Sequence, residues 1–119
     1  MANTNTALNT ILSNVLSHLQ TTYTYFAIGS GTTTETSTDV ALESEAFRDT
    51  IDEVQVGPNH VLYRCYVGTT EANGISITEF AIFDSDTGGN MLLRKTFPAI
   101  NKTSDMDIWF EVQETVSVS

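Results

Sequence analysis

The chain has 119 residues with an apolar fraction of 40%, which fits one folded domain rather than a disordered segment. Fifteen acidic residues against five basic ones give a net charge of −10, and so few cations cannot form the basic patch that binds nucleic acid or an anionic membrane surface. No apolar run approaches the ~20 residues of a membrane span. The sequence therefore predicts no nucleic-acid partner and no membrane insertion. Its acidity suits either solubility by self-repulsion or a high-salt habitat.

The N-terminus and the single cysteine bear on where the chain folds. The first six residues have no positive charge and no continuous apolar run follows them, so no secretory leader is predicted and we expect folding in a cytoplasm. Cys65 has no second cysteine with which to form an internal disulfide. Because it lies in a strand-like run over 60–67, we interpret it as a small buried hydrophobic residue.

Residues 1–22 are predicted to form an amphipathic α-helix. Its apolar residues follow the spacing i, i+3, i+4, i+7, i+8, i+11 of one helix face. They are Leu8, Ile11, Leu12, Val15, Leu16 and Leu19. Residues Thr4 to Thr6 are all competent N-caps. We interpret the stripe as core packing first and as subunit packing second, and the uncharged polar face opposite it indicates a further contact with a partner.

Residues 23–119 are predicted to form an antiparallel β-sandwich that makes a single domain with the helix, because several short strands are joined by close turns. The predicted strands are 23–28, 48–56, 60–69, 75–84, 91–97 and 105–117. Residues 31–39 contain no apolar side chain and are expected to form an exposed loop. The composition of residues 40–47 favours a short helical turn.

Turn residues set the predicted connections between these strands. Gly57-Pro58-Asn59 predicts a tight turn, and Asn73-Gly74 predicts a hairpin between the strands 60–69 and 75–84. The glycine-rich stretch 85–90 predicts a second, longer hairpin.

The alternation of side chains along a strand predicts which residues share a face of the sheet. Shared faces are predicted for Val61, Tyr63, Cys65 and Val67; for Ile75, Ile77, Ala81 and Phe83; and for Ile108, Phe110 and Val112, opposite Trp109 and Glu111.

Candidate chemistry is sparse. Asp84 and Asp86 resemble the opening of a calcium loop, D-x-D-x-G, but the hairpin context and the ligand count favour a role in satisfying turn backbone groups. The two histidines, His18 and His60, lack the spacing of a zinc site, and no G-x-S-x-G nucleophile elbow is present. We therefore predict no enzyme activity and no cofactor.

Several stretches resemble a pattern common in small virion proteins of tailed phages, usually described as tail-fibre, tail-collar or baseplate-associated. They are Ile28–Thr33, Thr38–Glu45 with Arg48, Gly74–Asp84, Thr87–Leu92 and Phe97–Thr103. The resemblance covers roughly residues 26 to 113 in matching order, and Ala81 stands where such proteins often have glycine.

The resemblance implies a virion structural protein, made in the host cytoplasm and located in the virion. We expect a tail-associated subunit at a baseplate, fibre base or collar, which forms homo-oligomers and docks to other virion proteins. Loops 30–39 and 85–90 are the expected outer contacts. One alternative is a capsid decoration or turret protein. Another is a host-surface module that binds a glycan through Trp109 and the tyrosines, although we expect these aromatic residues in the core.

Overall fold

The computed structural model describes residues 5–116, and the side chains of residues 8–116. It contains one N-terminal helix followed by seven strands. In chain order these are α1 (Asn5–Thr22), β1 (Tyr25–Gly29), β2 (Glu45–Thr50), β3 (Glu53–Val56), β4 (His60–Val67), β5 (Ser76–Phe83), β6 (Met91–Asn101) and β7 (Ile108–Thr115). The side chains of the predicted caps, Thr4 to Thr6, and residue 117 of the predicted final strand lie outside the described part.

The strands form two antiparallel sheets, which confirms the predicted mainly β sandwich with an N-terminal helix. Sheet A has the order β2-β1-β5-β6 and sheet B the order β3-β4-β7. The main hydrophobic core combines side chains of both sheets and of the helix. Its fully buried residues include Phe26, Ile28, Val61, Tyr63, Cys65, Val67, Ile77, Phe80 and Ile82.

The helix packs against sheet B, next to β3 and β4. Leu16 and Leu19 belong to the buried core, and the hydroxyl of Tyr63 on β4 donates a buried hydrogen bond to the backbone carbonyl of Leu19 at 3.0 Å. That carbonyl lies in the last turn of the helix and accepts only a long backbone hydrogen bond, from the N–H of Tyr23 at 3.4 Å. Tyr63 therefore fixes the C-terminal end of α1 on the sandwich.

The predicted strand 48–56 is wrong as one element, because the chain crosses between the sheets at Ile51 and Asp52. The backbone N–H of Ile51 donates to the carbonyl of Thr24, immediately before β1. The next N–H, that of Asp52, donates to Arg64 on β4 in the other sheet. The change of partner divides the segment into β2 and β3.

The helical turn predicted in residues 40–47 is also wrong. Residues 40–44 have no regular secondary structure, and β2 begins at Glu45. The backbone carbonyl of Ser44 instead accepts a hydrogen bond from the N–H of Ser30, just beyond β1. Pairing with β1 decides this segment against its weak helix propensity.

The hairpin predicted at Asn73-Gly74 is wrong, because β4 and β5 belong to different sheets. The N–H of Gly74 donates to the carbonyl of Lys102, whose own N–H donates to Ile75. Ala72 and Gly74 both have positive φ values, 54° and 83°, so the turn is real. It directs the chain to the end of β6 instead of back along β4. The predicted turn at Gly57–Asn59 and the hairpin over 85–90 are confirmed.

The shared face predicted for Ile75, Ile77, Ala81 and Phe83 is wrong. A register irregularity between Ile77 and Glu79 changes the alternation of β5. Ile75 and Ile77 therefore contact the main core, whereas Ala81 and Phe83 lie in a second cluster on the other side of sheet A. The faces predicted for β4 and β7 are confirmed, because Val61 to Val67 alternate between buried and half-buried positions.

The last two strands differ from the prediction in their ends. β6 continues beyond residue 97 to Asn101, although it contains Pro98. A proline has no N–H for a ladder, and β6 tolerates one because it is an edge strand of sheet A. β7 begins at Ile108, since residues 104 and 105 form a turn.

We predict that Tyr63→Phe lowers the free energy of unfolding by about 1 kcal/mol, because it removes one buried hydrogen bond without creating a cavity. Urea unfolding followed by far-UV circular dichroism measures the change. Tyr66→Phe is the matched control, since the Tyr66 hydroxyl bonds to Asp107 at the exposed surface. Equal stability of the two variants would contradict the anchoring role of Tyr63.

Candidate assembly surface

The six residues of the predicted helix stripe do not share one environment. Leu16 and Leu19 are buried, and Leu12 is partly buried against the same core. Ile11 and Val15 are 43% and 37% exposed, and Leu8 is half-buried. The stripe therefore divides into an inner row, Leu12, Leu16 and Leu19, and an outer row, Leu8, Ile11 and Val15. We call the outer row the apolar ridge.

The helix surface carries no Asp, Glu, Lys or Arg from residue 5 to residue 22. The chain as a whole has a net charge of −10, so all of its formal charge lies outside α1. A helix exposed to water usually carries charged residues on its outer face. The uncharged outer face of α1 is therefore a distinct surface of the molecule.

A groove of about 410 Å³ lies on the other flank of the helix, between α1 and the turn that connects β3 to β4. Asn9, Ser13, Ser17 and Gln20 line it from the helix, with Leu12 and Leu16 at its base. Val56, Gly57 and Pro58 form its other wall, and Val56 is 45% exposed. We call this feature the helix groove.

The loop between β1 and β2 is held by a buried carboxylate. Glu79 is 0% exposed, and its two oxygens accept hydrogen bonds from the backbone N–H groups of Gly31, Glu43 and Ser44 at 2.8 to 2.9 Å. Arg94 forms an ion pair with the same carboxylate, with its Nε 3.0 Å from Oε1. This arrangement ties both ends of the loop to the middle of sheet A.

The electrostatics of this carboxylate follow from its contacts. Burial raises the pKa of Glu79, but the three backbone donors and Arg94 outweigh burial, so the pKa lies below its usual value. Arg94 is itself nearly buried, and it also contacts Asp39 and the backbone carbonyl of Thr33. The charges of the pair are thus satisfied from both sides of the loop.

Residues 30–39, predicted as outer contacts, form a strap over sheet A. Glu35 accepts hydrogen bonds from both the backbone N–H and the hydroxyl of Thr96 on edge strand β6. These bonds, led by that of the hydroxyl, lower the pKa of Glu35. Along this part of the β6 edge, the N–H of Thr96 is bonded to Glu35, and Pro98 has no N–H. This part of the edge is therefore protected against the addition of another strand.

The second predicted outer loop, residues 85–90, is also anchored. Asp84 accepts hydrogen bonds from the backbone N–H and the side-chain amide of Asn90, which is the turn role favoured over calcium binding. Arg48 donates to the carbonyls of Ser85 and Gly88 and lies over the ring of Phe83. Asp86 is exposed. Among the residues that the structure describes, no three His, Cys, Asp or Glu side chains lie close enough to hold a metal ion.

Trp109 lies on the outer face of sheet B, so the expectation that it belongs to the core is wrong. It is 48% exposed and packs on Tyr66 across the strand pair, with ring centroids 4.9 Å apart. The guanidinium of Arg64 lies 4.7 Å from the Trp109 ring centre and pairs with Glu53 and Glu111. Tyr63, by contrast, is a fully buried core residue.

Cys65 is buried, as predicted, and is a free thiol. Burial raises the pKa of this thiol to about 12, with a smaller contribution from Asp52. A thiol that keeps its proton is a poor nucleophile. The predicted role of Cys65 as a small hydrophobic residue therefore agrees with its surroundings.

Sequence reasoning missed the buried ion pair of Glu79 and Arg94 and the buried side chain of Lys102. One indication was available at Gly29 and Gly31. A Cβ atom at either glycine would lie 2.6 Å from Oε2 of Glu79, so both positions must lack a side chain for the carboxylate to fit. The recognisable pattern was a charged residue, Glu79, within the mostly apolar strand β5, together with glycines at positions 29 and 31.

A scan against protein-family models and a search of curated proteins find no match to this chain. In the described part of the chain, no helix is both long enough and apolar enough to cross a membrane.

We predict that Glu79→Gln lowers the free energy of unfolding by about 3–5 kcal/mol, because it breaks the buried ion pair with Arg94 and leaves that guanidinium only the partly exposed carboxylate of Asp39. The new amide would also present N–H donors to backbone N–H groups. Glu111→Gln makes the same chemical change in the exposed ion pair with Arg64 and is expected to cost much less. Urea unfolding of both variants measures the difference, and equal losses would contradict the role of Glu79.

We also predict that Glu79 stabilises the fold against acid. Its folded pKa lies below the usual value of 4.5, so its contribution is complete above that pH and is lost as the pH falls through the folded pKa. Unfolding free energies measured on both sides of pH 4.5 should fall less steeply with acid in Glu79→Gln than in the wild type. Glu35, Asp39 and Glu43 also have lowered pKa values, so some slope remains. An unchanged slope would exclude Glu79 as a source of acid sensitivity.

Proposed function

We propose that the chain is a structural subunit of a tailed virus, associated with the tail at a baseplate, fibre base or collar. It acts by self-assembly and by docking to other virion proteins, not by catalysis. The sequence pattern over residues 26 to 113 supports the virion assignment. The alternative position is the capsid surface, as a decoration or turret protein.

The observation that carries the self-assembly part is the uncharged outer face of α1 with its apolar ridge. Single exposed apolar residues are common on soluble proteins, but here Ile11 and Val15 lie one turn apart on a helix without any charged residue. Long connections elsewhere are tied to the sandwich by Glu79, Arg94 and Arg48. Such a rigid body with one uncharged face suits a repeated contact in a symmetric particle.

A second candidate function is the recognition of a neutral glycan on the host surface, which the position of Trp109 favours. Aromatic rings that are half exposed offer a flat apolar face with polar groups at its rim. Trp109 is held by Tyr66 and Arg64, so its orientation is fixed before any ligand arrives. The carboxylates of Glu53, Glu111 and Asp107 surround this platform and would repel an anionic glycan.

We expect the chain in purified virus particles at far fewer copies than the major capsid protein. Quantitative mass spectrometry of the particles measures the ratio. A copy number comparable to that of the capsid protein would indicate a decoration protein instead. Absence of the chain from particles would refute the virion assignment.

If the glycan function holds, a neutral host polysaccharide should change the fluorescence of Trp109, the only tryptophan in the chain. Isothermal titration calorimetry should show loss of binding in Trp109→Ala and unchanged binding in Val40→Ala. Val40 is the matched control, because it is 78% exposed and lies in the loop between β1 and β2, away from Trp109 in the sequence. Equal binding by both variants, or none by the wild type, would exclude this platform as a glycan site.

A further inference from the structure

We propose that copies of this chain assemble head to tail, with the apolar ridge of one copy packed into the helix groove of the next. The inference deepens the proposed function and rests on its self-assembly part. It names the partner, a second copy, and the two different surfaces that meet.

The two surfaces lie on opposite flanks of one helix. At about 100° per residue, the ridge of Leu8, Ile11 and Val15 lies roughly 70° to one side of the inner row. Asn9, Ser13 and Ser17, which line the groove, lie roughly 90° to the other side. None of the ridge residues lines the groove. A single copy therefore cannot bring its own ridge and groove together.

The base and the outer wall of the groove suit an aliphatic ridge, whereas its helix side is polar. Its base and outer wall are apolar, through Leu12, Leu16, Val56 and Pro58. Small side chains such as Ser13 and Ser17 allow a second helix to come close, because the distance between packed helices depends on the side chains at their contact. Three of the five large hydrophobic residues exposed in the described part, Ile11, Val15 and Val56, belong to these two surfaces.

The lack of charge on both surfaces, together with their presence on the same chain, favours another copy of this chain as the occupant. Two molecules that each carry −10 repel, and the repulsion is smallest where neither surface contributes a charge. Helix α1 has none, and Val56, Gly57 and Pro58 on the opposite wall are also uncharged. A basic partner would gain nothing at this surface, because there is no carboxylate on α1 or on those three residues to attract it.

The contact between the apolar ridge and the helix groove determines the symmetry of the assembly. An interface between two different patches of the same chain is heterologous, and it produces a ring when the rotation closes and an open helical filament when it does not. A twofold pairing of ridge with ridge would instead produce an isolated dimer and would leave the groove open. A subunit placed around a tail axis, as proposed above, requires the closed case, so we expect the head-to-tail contact to close into a ring.

Cysteine cross-linking tests the contact directly. Ile11→Cys and Val56→Cys replace exposed side chains, one on the ridge and one in the groove, and the native Cys65 is buried and unreactive. Oxidation of a mixture of the two variants should give a disulfide between positions 11 and 56, identified by peptide mass spectrometry. Each variant alone should give none. Val40→Cys mixed with Ile11→Cys measures the background of random collisions.

Solution mass provides an independent readout. The wild type should form a closed oligomer in analytical ultracentrifugation, and added salt should favour it, because salt screens like-charge repulsion. The double substitution Ile11→Ser with Val15→Ser should shift the mass to the monomer, whereas Val40→Ser should not. Circular dichroism checks that each variant keeps its fold.

The outcomes separate this inference from the proposed function. A disulfide between two copies of Ile11→Cys alone indicates a twofold pairing and overturns the head-to-tail contact. Cross-linking no greater than the Val40→Cys background, or a monomeric wild type at all concentrations and salt levels, also overturns it. In either case the presence of the chain in virus particles still supports the virion assignment, because the particle measurement does not depend on this contact.

Discussion

The buried carboxylate of Glu79 is the contact on which the arrangement of sheet A depends. An isolated buried charge is very costly, and Glu79 avoids that cost through three backbone donors and one guanidinium. Those donors belong to Gly31, Glu43 and Ser44, at the two ends of the long loop between β1 and β2. One side chain on the central strand β5 thus fixes a loop that local sequence leaves undetermined.

The anchored loop acts as a third layer over sheet A. It places Leu42 against Ala27, Ala81 and Phe83, which form a small second core on the outer side of the sheet. Strands β1 and β5 are consequently buried on both faces over most of their length. Sheet B has no such cover, and its outer face carries solvent-exposed pairs such as Arg64 with Glu111.

This difference explains which parts of the fold the sequence could predict. Alternation of apolar and polar residues identifies a strand with one wet face, and it assigned Val61, Tyr63, Cys65 and Val67 correctly on sheet B. On sheet A both faces are apolar and β5 contains an irregularity, so the same rule misplaced Ala81 and Phe83. Turn chemistry at Asn73-Gly74 predicted a reversal but not the sheet to which the chain would turn.

For helix α1, too, the sequence pattern predicted the local structure but not the environment of each side chain. A period of 3.6 identified all six apolar residues of α1, because period depends only on local spacing. It could not separate the inner row from the ridge, since that division depends on how β3 and β4 meet the helix. Trp109 was misassigned for the same reason, because exposure on β7 depends on which face of sheet B is covered.

The composition of α1 is unusual, because the helix has no acidic residue in its first turn and no basic residue in its last. A helix on an acidic, solvated domain gains from acidic residues in its first turn, basic residues in its last and ion pairs one turn apart. Helix α1 has none of these, so its stability must come from the packing of its apolar face, as for most helices in proteins. It is held mainly at its C-terminal half, by Leu16, Leu19 and the hydroxyl of Tyr63. In the head-to-tail assembly that we propose, a neighbouring copy covers the apolar ridge and so supplies contacts that the N-terminal half of the helix lacks in a single copy.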